Sequence, residues 1–373
     1  MITKFGCQNI KAIQNFDAIE IRPITIIMGE NSSGKSSILQ ALSFLSFNSV
    51  FKNNLERIKY NNPFSEFGTN NSFKDINKDV VLFFEIYENH KKYSIELLYK
   101  DEIDNNEYGY LYEVYIKNYD EQYEYRKKYK DIAISVQDLG IYYDDLTISK
   151  RFSEIFSILE LNLNSIRHIG KLKDKNETYD YNLDYIGYFG ENFKQRAMSL
   201  NHTGFIKKAI QDIFNYDLVI DKRKQELFIN LENKKLELSM FGTSISSTIP
   251  ILTQFALNRQ KNTKNKYRLT IVEEPELNLH PKSQARFTET VFKNILKNQT
   301  IIIETHSDHI INKLASLISS KKVKPKDVII YYKTKNSFFQ KIEFNKCGRF
   351  VDGFPNGFFD ATLDDIYSLG TDC

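Results

Sequence analysis

The stretch Gly29-Glu30-Asn31-Ser32-Ser33-Gly34-Lys35-Ser36 constrains this chain more than any other. Before it runs Ile24-Thr25-Ile26-Ile27-Met28, an apolar segment of the kind that forms a buried strand, and after it Ser37-Ile38-Leu39-Gln40-Ala41-Leu42 has helical spacing. A glycine-rich turn between a strand and a helix lets successive backbone N–H groups face inward, and the helix N-terminus adds a preference for negative charge. Gly29, Glu30, Asn31, Ser32, Ser33, Gly34 and Ser37 are therefore expected to cradle phosphates. Lys35 is expected to reach a β- and a γ-phosphate, and the Ser36 hydroxyl to hold Mg²⁺. The competing reading, a Gly/Ser turn that carries a lysine by chance, is disfavoured by the strand and helix on either side.

The chain has 373 residues, 41% of them hydrophobic, enough for one large domain with insertions or for two smaller ones. A net charge of +3 is too small to draw nucleic acid by bulk attraction, so any DNA contact has to come from local patches. No apolar run approaches the roughly 18 residues of a membrane span, and the N-terminus reads as strand, so no membrane partner and a cytoplasmic location are expected. Cys7, Cys347 and Cys373 are scattered, which supports neither a disulfide framework nor a thiolate zinc site.

Residues 2–28 alternate as strands do, and a helix is expected over 35–47. The Asn-rich segment 53–77, with Pro63 and Gly68, reads as surface loop. Runs 80–87, 93–99 and 110–116 are β-branched and aromatic with a period of two, which suits an antiparallel meander. Their Tyr and Phe stripes are expected to pack across strands, in preference to stacking bases. Segment 121–130 is charged without an apolar heptad, so long coiled-coil arms are not expected. Residues 135–215 read as helix and loop, with Phe152, Ile155, Phe156 and Leu159 at helical spacing, a connection over 174–188 and a second helix over 205–214. Short strands at 217–221 and 227–231 lead to Phe241-Gly242-Thr243-Ser244.

A second piece of chemistry follows. Leu269-Thr270-Ile271-Val272 is a buried strand that ends in Glu273-Glu274-Pro275-Glu276. Open α/β sheets gather ligands at the carboxyl ends of their strands. Glu273 is expected to order the Mg²⁺ shell, and Glu274 to accept a proton from the attacking water. A further strand, Thr300-Ile301-Ile302-Ile303, ends at Glu304-Thr305-His306-Ser307, where His306 can bond the γ-phosphate or that water. His306 and His309 have a spacing that metal ligands use on a helix, but no Cys or third His accompanies them.

The order of these pieces resembles the ABC-type ATPase heads of the RecF/SMC/OLD class, and most closely the AAA15-type bacterial ATPases that end in a short tail domain. In that family the phosphate loop reads as residues 29–37 do here, including Asn31-Ser32-Ser33. Its acidic segment reads Glu-Glu-Pro-Glu-x-x-Leu-His-Pro, as in residues 273–281, so Glu273 in place of Asp fits. Residues 303–307 match its switch-histidine segment, Phe354-Pro355-Asn356-Gly357-Phe358-Phe359-Asp360 its tail, and Ile186-Gly187 with Gly190-Glu191 a mid-chain element. One segment departs. Where the family has Gly-x-Gly-x-Ser-Gln-x-x-Pro, this chain has Gly242-Thr243-Ser244-Ile245-Ser246-Ser247-Thr248-Ile249-Pro250.

The resemblance implies an α/β P-loop NTPase of ABC-head type with an antiparallel β subdomain and an inserted helical lobe. Its parts are expected at 1–79 and 236–373 for the ATPase core, 80–134 for the β subdomain and 135–235 for the lobe. It implies ATP and Mg²⁺ as ligands, Glu274 and His306 as catalytic residues, and Gly242, Ser244 and Ser246 as a signature that reaches the partner's γ-phosphate in an ATP-sandwiched homodimer. The altered signature implies slow turnover or a site tuned for binding. No fused TOPRIM nuclease pattern follows His306, so the expected role is to regulate a separately encoded nuclease or toxin in bacterial anti-phage defence. The alternative is a DNA-repair or chromosome-maintenance clamp that binds duplex DNA through Lys207-Lys208, Lys222-Arg223-Lys224 and Lys321-Lys322 with Lys324 and Lys326.

Overall fold

The computed structural model describes residues 1–52, 57–59, 78–102, 105–120, 123–128, 134–138, 145–170, 172, 184–231, 234–260, 267–335 and 337–353. Most of the loop expected at 53–77, most of the connection at 174–188 and the tail motif at 354–360 lie outside these residues. The chain divides into two compact units. The first comprises Met1–Ile21, Ser32–His168 and Tyr267–Leu269, and the second Arg22–Asn31, Ile169–Lys266 and Thr270–Cys373.

The chain opens with β1 (Ile2–Gln8), β2 (Asp17–Glu20) and β3 (Ile24–Gly29), followed by helix α1 (Lys35–Lys52). Next come β4 (Arg57–Lys59), β5 (Val80–Glu88), β6 (Lys91–Glu102), β7 (Asn105–Asn118), β8 (Tyr123–Lys128) and β9 (Ile134–Asp138). In the first unit an eight-stranded sheet has the order β2-β1-β5-β6-β7-β8-β9, with β4 paired to β7. The expected meander is thus present, but β1 joins it by pairing antiparallel with β5.

One face of this sheet is apolar because side chains alternate along each strand. Val80, Leu82, Phe84 and Ile86 of β5 are buried, as are Ile95, Leu97 and Tyr99 of β6. On β7 both Leu111 and Val114 are buried, although their spacing is odd, because a bulge sets Leu98 against Glu113 and Tyr99 against Leu111. The aromatic residues pack across strands as expected, with Phe5 and Phe84 ring centroids 5.1 Å apart. On the same sheet charges pair across strands: Lys117 with Glu124 at 2.9 Å, Lys92 with Glu85 at 3.0 Å, and Arg126 with Glu113. Burial, with the hydrogen bond to Glu124, pushes the Tyr115 phenol up to about 12.

The charged run at 121–130 is largely strand β8, and 135–215 holds more strand than its sequence suggests. After α2 (Asp145–Leu163) comes β10 (Ile166–Ile169). Arg167 and His168 hide this strand from a hydropathy reading, yet both are buried: Arg167 donates to the Asn164 and Ile166 carbonyls at 2.8 Å, and His168 Nδ1 lies 2.6 Å from the Ser43 hydroxyl of α1. α2 buries Phe152, Ile155 and Leu159, as their spacing predicts.

The chain continues with α3 (Phe193–Ser199), α4 (Gly204–Phe214), β11 (Asp217–Asp221), β12 (Glu226–Leu231) and β13 (Lys234–Glu237). The two strands expected here are joined by the third in an antiparallel sheet. Then follow α5 (Thr243–Leu257), β14 (Arg268–Glu273), α6 (Pro281–Phe292), β15 (Gln299–Glu304), α7 (Asp308–Ser319), β16 (Val328–Lys333) and β17 (Gln340–Ile342). A six-stranded sheet has the order β10-β14-β15-β3-β16-β17. β3 is parallel to both neighbours, and β3, β14, β15 and β16 are buried along their whole length, which is why each reads as a mostly apolar run without strict alternation. α5, α6 and α7 close the second unit's core through Ile249, Leu252, Phe255, Phe287, Ile310 and Leu314.

Candidate functional site

β3 ends where only glycine fits. At Gly29 φ is +135°, and an added Cβ would overlap the Lys333 carbonyl oxygen of β16. The Glu30 N–H donates to that carbonyl at 3.0 Å, and the Glu30 carboxylate accepts from the Lys335 N–H at 3.1 Å. Glu30 therefore anchors the first part of the loop to the end of β16. The division between the two units falls after Asn31. Beyond it Ser32 is exposed at φ +61°, Gly34 takes φ +103°, and Lys35 opens α1 with only 4% of its surface exposed. Ser36 is half-buried and Ser37 buried. The Ser33 hydroxyl oxygen is buried with no hydrogen-bond partner among the described residues.

The acidic and histidine segments stand at neighbouring strand ends. The Glu274 N–H donates to the Glu304 carbonyl at 2.8 Å, and the Thr305 N–H to the Ile27 carbonyl at 3.0 Å, so β14, β15 and β3 finish side by side. Glu273 is 6% exposed. His306 Nε2 is 4.0 Å from Glu274 Oε1, while the His306 N–H donates to Glu276 Oε1 at 2.7 Å. Burial pushes the Glu276 carboxyl above its usual range, opposed by that N–H bond. The two loops are tied again below: the Ser307 hydroxyl caps α7 through the Ile310 N–H and donates to Gln284 Oε1 at 2.5 Å, and Gln284 Nε2 donates to the Leu279 carbonyl at 2.9 Å.

Glu274 sits at φ +46°, a left-handed conformation that a residue with a Cβ adopts at a cost of about 1–2 kcal/mol. Glycine escapes that cost and loses only about 0.4–1 kcal/mol through its freer unfolded chain. Glu274→Gly is therefore expected to unfold at a higher temperature than Glu274→Ala, although both lack the carboxylate. Calorimetric scans of the two decide it, and an alanine variant as stable as the glycine one would mean that this turn is relaxed.

The signature segment begins α5. Gly242 is the N-cap, with no side-chain cap, and a Cβ there would meet nothing within 4 Å among the described residues. Its own fold does not demand glycine at this place. The Ser247 and Thr248 hydroxyls donate to the Ser244 carbonyl at 3.2 and 2.7 Å, and Ser246 Oγ lies 3.5 Å from the Gly242 carbonyl.

Tyr188 escaped the sequence reading: its hydroxyl lies 3.4 Å from Glu273 Oε1. The available signal was its position inside the Ile186-Gly187 and Gly190-Glu191 element. The basic clusters are partly occupied with local partners. Lys222 Nζ donates to the Leu200 carbonyl at 2.7 Å, and Lys322, Lys313 and Lys293 converge on Glu289, whose carboxyl they hold down to about 2. Among the described residues no group of three or more His, Cys, Asp or Glu side chains forms a metal cluster, and His309 pairs with Asp308 at 3.7 Å. No helix among them is long and apolar enough to cross a membrane.

Among solved structures, the SMC head domain from Thermotoga maritima aligns with 92% of this chain and 99% of its own at 13% identity and a TM-score of 0.46. The SMC head bound to the C-terminal winged-helix domain of ScpA aligns with 92% of this chain and 97% of its own at 12% identity and the same TM-score of 0.46. No curated protein matches the chain. A family model matches residues 24–312, from β3 into α7, and the chain belongs to the family it describes, “AAA domain, putative AbiEii toxin, Type IV TA system”.

Proposed function

We propose that this chain binds and hydrolyses ATP as a nucleotide-gated homodimer, and that the dimer regulates a separately encoded nuclease or toxin in bacterial defence against phage. The observation that carries the ATPase reading is the common edge at which β3, β14 and β15 end, with the start of the phosphate loop on one strand and Glu273, Glu274 and His306 on the others. The donor set suits ATP and Mg²⁺. An unpartnered buried hydroxyl such as that of Ser33 costs about 1–3 kcal/mol, which a phosphate oxygen would offset. Ser36 and Glu273 supply the hard oxygen ligands that Mg²⁺ takes.

In this reading the loop N–H groups and the Lys35 ammonium hold the phosphates, while Ser36 Oγ and the Glu273 carboxylate hold the metal. Mg²⁺ held by these two side chains would supply positive charge to offset the negative charge that develops on the phosphates. The Glu274 carboxylate takes the proton of the attacking water, and His306 donates to the γ-phosphate or to that water. Gly242, Ser244 and Ser246 serve the nucleotide of the second subunit. Support comes from Gly242, whose missing side chain is not required by any described residue of its own subunit.

The family's description as a putative toxin of a type IV system supports a role within a pair of chains. The DNA-clamp reading has less support, because Lys222 and Lys322 are already engaged.

The test uses the purified chain, with light scattering and phosphate release measured side by side. Mg·ATP is expected to produce a dimer and slow phosphate release, and ADP a monomer. A chain that neither dimerises with Mg·ATP nor releases phosphate overturns the proposal. Expression of the chain alone and with its neighbouring gene tests the rest: growth arrest by this chain alone would make it the toxin, not the regulator.

A further inference from the structure

We infer that Tyr188 is a positioning residue for Glu273: its hydroxyl donates to Glu273 Oε1 and sets the rotation in which that carboxylate receives the metal. The inference rests on the ATPase reading above and adds a residue to it.

The segment around Tyr188 is folded so tightly that the ring has one place to be. The Gly190 N–H donates to the Gly187 carbonyl at 3.2 Å, the Asn192 N–H to Ile186 at 2.8 Å and the Phe193 N–H to Gly190 at 2.9 Å. Gly187 at φ +94° and Gly190 at φ +77° allow this reversal, and the Glu191 carboxylate turns back to accept from the Phe189 N–H at 2.9 Å. The Tyr188 ring lies flush on Gly170, where any Cβ would overlap it, and the Gly170 N–H donates to the Tyr188 carbonyl at 2.9 Å. Phe189 meets the ring edge-on at a centroid distance of 4.8 Å. Glycine at three positions thus serves the placement of one phenol.

The loop is also fixed to the signature helix. Gln254 of α5, fully buried, accepts from the Ile186 N–H at 3.1 Å and donates to the Asp184 carbonyl at 2.9 Å. It donates as well to Asn258, which donates to Thr270 in the strand that ends at Glu273. The Tyr188 loop and the strand that ends at Glu273 are therefore both tied, by hydrogen bonds, to Gln254 of the same helix.

Packing alone would be served by phenylalanine, which fills the same space over Gly170. The hydroxyl is what distinguishes Tyr188, and both it and Glu273 belong to residues only 6% exposed. Its 3.4 Å distance exceeds the roughly 2.7–2.8 Å of a tight O–H···O bond, so the contact orients the carboxylate without clamping it. Groups that hydrogen-bond a metal's carboxylate ligand typically account for about 10–100-fold in metal affinity.

The experiment is a Mn²⁺ titration at fixed ATP, followed by the free-Mn²⁺ electron paramagnetic resonance signal, on parent, Tyr188→Phe and Glu273→Gln proteins. ATP binding in excess chelator and the unfolding temperature are measured alongside. Tyr188→Phe is expected to keep its fold and its metal-free ATP affinity, while its affinity for Mn²⁺ falls about 10–100-fold, towards that of Glu273→Gln. Gly170→Ala, which displaces the ring, should show the same metal defect. A Tyr188→Phe protein whose Mn²⁺ affinity stays within about twofold of a parent that binds Mn·ATP overturns this inference and leaves the ATPase reading intact. A parent that binds no Mn·ATP overturns the ATPase reading, and the inference with it.

Discussion

Phosphate release by the Glu274→Gln protein is expected to fall about 10²–10⁴-fold with ATP binding retained, because a positioned general base contributes that much and the amide cannot take the proton. The change is nearly isosteric and leaves the Glu274 N–H bond to Glu304 in place, so the edge of the sheet should not move. Slow hydrolysis then makes the ATP-bound state persist, and on the sandwich reading that state is a dimer visible by light scattering. Adding Ser246→Arg places a long cation at a half-buried position in the first turn of α5 and is expected to abolish the dimer with little loss of ATP affinity. A Glu274→Gln protein that remains monomeric with ATP at micromolar concentration, or a dimer indifferent to the Ser246 change, would rule out the sandwich.

Lys35→Ala is expected to weaken Mg·ATP binding by at least about tenfold and up to about a hundredfold. Hydrogen bonds to charged groups are worth roughly 1.5–3 kcal/mol each, and every 1.4 kcal/mol is a factor of ten. The substitution keeps a strong helix former at the first position of α1, so the helix itself should survive. Calorimetric titration with Mg·ATP settles the matter, and equal affinity in variant and parent would remove the phosphate loop from the mechanism.

Much of the candidate site was legible because its chemistry is written next to its scaffold. Lys35 follows β3, Glu273 ends β14, and His306 follows β15, each after a run so uniformly apolar that a buried strand was the natural reading. What stayed hidden depends on contacts between distant positions. Glu30 is tied to Lys335, 305 residues away, and Tyr188 reaches Glu273 across 85. Nothing in the letters around Glu274 announces a left-handed backbone, since glycine and asparagine are the usual markers of one. β10 was missed for a different reason: Arg167 and His168 look like solvent-facing residues, and only their partners in the fold explain their burial.

The helix α5 is divided sharply along its length. Its first turn, except Ile245, lies open or half-open, whereas every residue from Thr248 to Leu257 is buried. Mutational drift in such a helix is uneven. Thr243, Ser244, Ser246 and Ser247 can be exchanged for other small residues at little packing cost within the subunit. Gln254 and Asn258 are each hydrogen-bonded to several neighbours at once, and a change at either demands compensating changes elsewhere. Ser244 and Ser247, both half-buried in that first turn, stand where packing leaves room for other small side chains.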